Sequence, residues 1–181
     1  SQMTYDLLLT GANVLDPSQG LQDIVDVAVA DGCIAAVGHN LPGAARQTID
    51  LTGRLLTPGW IDIHAHVYAG ATTWGVNADA LCLATGVTTI VDAGSPGWAN
   101  LPGFIDYVAG PSRTRVLTFV HVSGIGLTYG PLGECEDIRY ADPERTAAAI
   151  DRWREVCVGV KVRQGGHQVG TNGVEPVRRA V

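Results

Sequence analysis

From Trp60 to Val181 the sequence repeats one rhythm four times: a short apolar strand, then a helical stretch. The strands read WIDIHAHV (60–67), VTTIVDAGS (87–95), RVLTFVHVS (115–123) and VGVKVRQ (158–164). The helical stretches read NADALCLATG (77–86), LPGFIDYVAG (101–110), DPERTAAAIDRWREV (142–156) and EPVRRAV (175–181). Asp142 is placed to cap the third helix, with Pro143 at its first position. Four β-α units in succession predict a parallel sheet.

Residues i and i+2 of a strand share a face. Alternation therefore sets Val156, Val158, Val160 and Val162 against Cys157, Gly159, Lys161 and Arg163. In the first strand it sets Ile61, Ile63, Ala65 and Val67 against Trp60, Asp62, His64 and His66. An open, doubly wound sheet meets helices on both faces and should be apolar on both. One aliphatic and one polar face instead predict an α/β fold of the (β/α)8 TIM-type barrel, with the polar groups toward the lumen and the C-terminal strand ends. Such a barrel takes about 250 residues and eight units. Residues 58–181 supply the first four, so the rest is expected from a longer polypeptide or a second chain.

Residues 1–57 read differently. YDLLLTGANVLD, DIVDVAVA, CIAAVG and TIDLTGRLLTPG are short strands and turns, with Asp31-Gly32 as a two-residue hairpin signal. This region is expected to be part of a small β-sandwich domain preceding the barrel. Ser1-Gln2 ahead of Met3 reads as a cloning remnant.

The formal charge of −6 argues against nucleic acid and anionic membranes as partners. No apolar run approaches the roughly 20 residues of a membrane span, and no basic segment precedes an apolar one at the N-terminus. Cys33, Cys82, Cys135 and Cys157 are widely spaced without a C-x-x-C pair, as suits reduced thiols in a cytoplasmic protein. A small-molecule substrate is the expected partner; homo-oligomerisation stays open.

His64 and His66 carry the strongest chemical signal. On one strand face they point the same way, and imidazole suits zinc and other divalent transition metals. Two ligands do not complete a catalytic site, which commonly has three. Lys161, in the polar row of its strand, must be paired or neutralised. An ion pair with Asp62 or Asp92 is one solution. The other is reaction of the neutral amine with CO2, giving a carbamate that ligates as a carboxylate does. Arg163 reads either as a contact for a substrate carboxylate or as a partner of an acid such as Asp92. His121 lines the pocket or sits in the core. His167, in QGGHQVG, reads as an exposed loop residue. The DAGS segment (92–95) ends the second strand with a glycine that permits a tight turn, and reads as structural.

TPGWIDIHAHV, GVTTIVDAGS and VGVKVRQ together resemble the amidohydrolase superfamily, in its branch related to dihydroorotases and deacetylase-like amidohydrolases. The resemblance covers essentially the whole chain. It implies a metal-dependent hydrolase of amide-type C–N bonds, in cyclic amides, N-acyl groups or esters, acting through a metal-activated hydroxide. It implies two divalent ions, zinc foremost. His64 and His66 would bind one ion, and N-carboxylated Lys161 would bridge both. By its likeness to a family element, DAGS would belong to the pocket rim. The remaining histidine ligands and the general acid/base aspartate would come from strands beyond Val181. Relatives often continue the motif as H-x-H-x-R; here Tyr68 stands in the arginine's place, which speaks against dihydroorotase activity and makes Tyr68, Arg163 and His121 the candidate substrate contacts. A one-metal deaminase of the same superfamily and a non-catalytic binding module are the rival readings.

Overall fold

The computed structural model describes residues 4–181; Ser1 and Gln2, on which the cloning-remnant expectation falls, lie outside them. The chain divides into two compact units, one ending at Pro58 and one spanning Gly59–Val181.

The first unit is a single five-stranded sheet of β1 (Thr4–Asp16), β2 (Leu21–Ala30), β3 (Cys33–Gly38), β4 (Ala44–Asp50) and β5 (Leu55–Leu56). Its order is β3-β2-β1-β4, with β5 continuing alongside β1. It is one sheet; among the described residues of this unit no second sheet packs as the other layer of the expected sandwich. Asp31 and Gly32, at φ 52° and 72°, form the two-residue hairpin turn that the sequence announced. β1 is longer than its sequence pattern suggested because a bulge at Thr10-Gly11 kinks it without ending it. Asp26 holds that kink, accepting the Gly11 N–H (2.9 Å) and the Leu41 N–H (3.2 Å).

The second unit contains β6 (Trp60–Ala65), β7 (Val87–Asp92), β8 (Arg115–His121) and β9 (Cys157–Lys161). All three pairings are parallel, in the order β6-β7-β8-β9. This is the sequential arrangement of the first half of a (β/α)8 barrel. Its helices are α1 (Ala78–Cys82), α2 (Leu101–Phe104, running on as a π-turn over Ile105–Ala109), α3 (Pro143–Arg152), α4 (Gly166–Val169) and α5 (Glu175–Ala180). Asp142 caps α3, its carboxylate accepting the Arg145 N–H at 3.0 Å. Among the described residues no helix is long and apolar enough to cross a membrane.

The main core lies between sheet and helices. Val67, Ile90, Val116, Val120 and Cys157 from the strand side meet Cys82, Leu101, Phe104 and Ala149 from the helix side. Two departures from simple alternation shape the faces. In β9 a register shift opposite Thr118-Phe119 inserts one residue. Cys157 therefore packs with the helices, whereas Lys161 lies on the face opposite Val160 and Val162. In β6 a shift between Asp62 and Ala65 breaks the pattern again. Asp62 spends its carboxylate on the His64 backbone N–H (3.0 Å) and does not join the two imidazoles as the alternation predicted. Ile61 and Ile63, expected under helices, are 62% and 73% exposed; the register pairs Asp62 with Ile90 of the helix-side core, which turns Ile61 to the other face.

Candidate metal centre

His64 is near the end of β6 and His66 just past it. Their ring centroids are 5.9 Å apart, edge to face. His66 is half-buried. Its Nδ1 lies 2.9 Å from the Ser95 hydroxyl, and the Trp74 ring stands edge-on at 6.2 Å. Burial, reinforced by the positive charges of His64, Lys161 and Arg163, pushes His66 down to about 4. Its imidazole is neutral at physiological pH, which is the state a metal requires.

The chain after β7 organises this corner. Asp92 is fully buried; burial pushes its carboxyl up, and hydrogen bonds from Val67 and from the Ser95 backbone and side chain oppose that shift. One oxygen accepts the Val67 N–H at 2.7 Å and the other the Ser95 N–H at 2.5 Å. Asp92 is thus committed to Val67 and Ser95 and makes no ion pair with Lys161 or Arg163. Gly94 adopts φ 86°, and a Cβ there would stand 2.4 Å from Lys161 Cβ and Cγ. The lysine stem runs across the space that glycine leaves. Among the described residues Lys161 makes no ion pair.

Arg163 has a partner the sequence did not single out. Its Nε and Nη2 donate to the two oxygens of Glu134, each at 2.7 Å. Glu134 is 3% exposed and Arg163 28%. The guanidinium also lies 5.9 Å from the centroid of the Trp74 ring. Burial raises the Glu134 carboxyl, but the hydrogen bonds from Arg163 and His121 outweigh it and hold the group at about 2.

His121 is paired with Lys161 across β8 and β9, on the same face of the sheet, and is fully buried against Glu134. Its Nδ1 accepts the Ser123 N–H (3.0 Å), so its Nε2 carries the proton and donates to Glu134 at 3.1 Å. Both nitrogens are spent inside the protein. Tyr68 also departs from the expected substrate contact. The strand has ended by then, and Tyr68 turns into the helix layer, its ring against Phe104 (5.3 Å) and its hydroxyl on the Asn100 carbonyl (3.0 Å). His167 is exposed, as expected, but lies in α4 and not in a loop, with Nε2 3.3 Å from the Gly130 carbonyl.

His64, His66 and Lys161 lie toward the C-terminal ends of the two outer strands of the sheet, and the charges of Lys161 and Arg163 act on His66. The donor set fits part of a divalent-metal site: two imidazoles, one already oriented, and an unpaired amine. Among the described residues no group of three His, Cys, Asp or Glu side chains completes one.

No family model matches the chain. A deacetylase of Agrobacterium fabrum is 38% identical over 176 residues, 95% of this chain and 43% of that protein. A deacetylase of Enterococcus faecalis is 31% identical over 98% of this chain and 46% of its own length. The crystal structure of a dihydroorotase superposes with a TM-score of 0.84 at 35% identity, over 96% of this chain and 46% of that one. That of an adenine deaminase gives 0.84 at 30% identity, over 97% and 46%. The chain spans less than half the length of these relatives.

Proposed function

We propose, for a chain that belongs to the amidohydrolase superfamily, that the complete polypeptide is a metal-dependent hydrolase of amide-type C–N bonds in a small molecule. Cyclic amides and N-acyl groups are the substrate classes, with esters as a further possibility. The observation that carries this reading is the placing of His64, His66 and Lys161 toward the same, C-terminal end of one parallel sheet, with the lysine's charge acting on His66. Relatives named deacetylase and dihydroorotase support it.

Each residue has a role in that reading. His66, with Nδ1 turned to Ser95, offers Nε2; His64 offers a second imidazole. As the free base, Nζ of Lys161 would attack CO2, forming an N–C bond as one C–O π bond breaks and a proton leaves, and the carbamate would serve as a carboxylate ligand to the ions. Two divalent ions, zinc foremost, would supply water activated near neutral pH and polarise the scissile carbonyl. Arg163, fixed by Glu134, keeps its remaining N–H groups for a substrate oxygen, and the Trp74 ring stands beside it. The general acid/base aspartate and the second ion's histidines belong to the rest of the barrel. Four free cysteines favour a cytoplasmic setting.

The test is the double substitution His64→Ala with His66→Ala in the complete polypeptide. Bound metal and hydrolysis of N-acyl or cyclic amide substrates should be lost together while the far-UV signature persists. Full metal content in that variant overturns the reading. The likeness to an adenine deaminase supports one rival, a single-metal deaminase. One ion per chain, an unmodified Lys161 by native mass and ammonia release from adenine would favour it.

A further inference from the structure

The proposed site contains an asymmetry. His64 is exposed, and among the described residues its ring makes no hydrogen bond; the His66 ring is anchored. The anchor is Ser95, which has no exposed surface. A buried hydroxyl must find a partner, and Ser95 Oγ finds His66 Nδ1 at 2.9 Å. The serine is itself fixed, because its backbone N–H is bound by Asp92 Oδ1 at 2.5 Å. The other oxygen of the same carboxylate binds the N–H of Val67, the residue that follows His66. One buried carboxylate therefore sets both the backbone beneath the imidazole and the hydroxyl at its edge.

A neutral imidazole has one N–H and one lone pair, and the bond made at one nitrogen decides what the other can ligate. We propose that Ser95 is a positioning residue for metal binding: it accepts the Nδ1 proton of His66 and so commits Nε2 to the ion. Ser95 does not touch the ion or the substrate. The inference rests on the metal-centre reading above. It adds that the 92–95 segment builds His66 into a preformed ligand, while His64 completes the pair only on binding. Loss of such an outer partner typically costs 10- to 100-fold in metal affinity.

The test uses the complete polypeptide, with Zn2+ as the probe in competition with a chromophoric chelator. Ser95→Ala should bind Zn2+ about 10- to 100-fold more weakly and stay folded by circular dichroism. In parallel, 15N-histidine NMR of the metal-free protein reads the tautomer directly. His66 should be the Nδ1–H form in the wild type, and that form should lose its dominance in Ser95→Ala. Equal Zn2+ affinity in wild type and variant overturns the inference. So does an Nε2–H tautomer of His66 in the wild type, a result that needs no variant to fold. A wild type that binds no Zn2+ is a different failure: it removes the metal centre itself.

Discussion

Gly94 and Lys161 are packed so closely that no other residue fits at position 94. The missing Cβ would come within 2.4 Å of two carbons at the base of the lysine side chain, which cannot swing aside as a side-chain tip can. The φ of 86° adds a backbone penalty for any residue with a Cβ. Gly94→Ala is expected to destabilise the protein by about 1–3 kcal/mol and to displace Lys161. Urea midpoints measure the first effect. Metal content and the CO2 adduct by native mass spectrometry measure the second, and both should fall.

The Arg163–Glu134 pair predicts a pH dependence. Glu134 is held at about 2, below its ordinary 4.5. A depressed carboxyl contributes its stability in full above about pH 4.5 and loses it as pH falls toward 2. Glu134→Gln should cost about 3 kcal/mol at pH 7 and flatten the decline in stability between pH 5 and 3. Denaturation at a series of pH values would show the wild-type and variant curves converging on the acid side.

Tyr68 stands where the H-x-H-x-R pattern has its arginine, and its hydroxyl is given to the Asn100 carbonyl. Tyr68→Phe should therefore lower stability by about 1 kcal/mol and leave KM unchanged in the complete enzyme. A several-fold rise in KM without loss of stability would return Tyr68 to the substrate.

What the sequence made legible was whatever strand periodicity governs. The β-α rhythm gave the parallel sheet, and the alternation placed His64, His66 and Lys161 toward the C-terminal ends of its two outer strands. Asp31-Gly32 and Asp142 were readable because a two-residue turn and an N-cap are local. Periodicity failed where an inserted residue changes phase. The shifts in β6 and β9 sent Asp62 and Cys157 to faces that counting by twos did not predict. It was silent beyond the strand ends, where Tyr68 turns inward. Glu134 comes from a glycine-bearing loop with no period at all, and nothing in GECED separates it from the exposed Glu136. Ser95 lies in a segment that reads as a tight turn or pocket rim; its use emerges only when β6 and β7 are laid side by side.

The double grip of Asp92 has a kinetic consequence. The amides of Val67 and Ser95 are tied to the two oxygens of a single group, so neither hairpin-like exit from its strand can breathe alone. Deuterium should enter both positions at a common rate, as one cooperative opening. An ion leaving this corner would then wait on that same event, and its dwell time would track the exchange lifetime of those two protons.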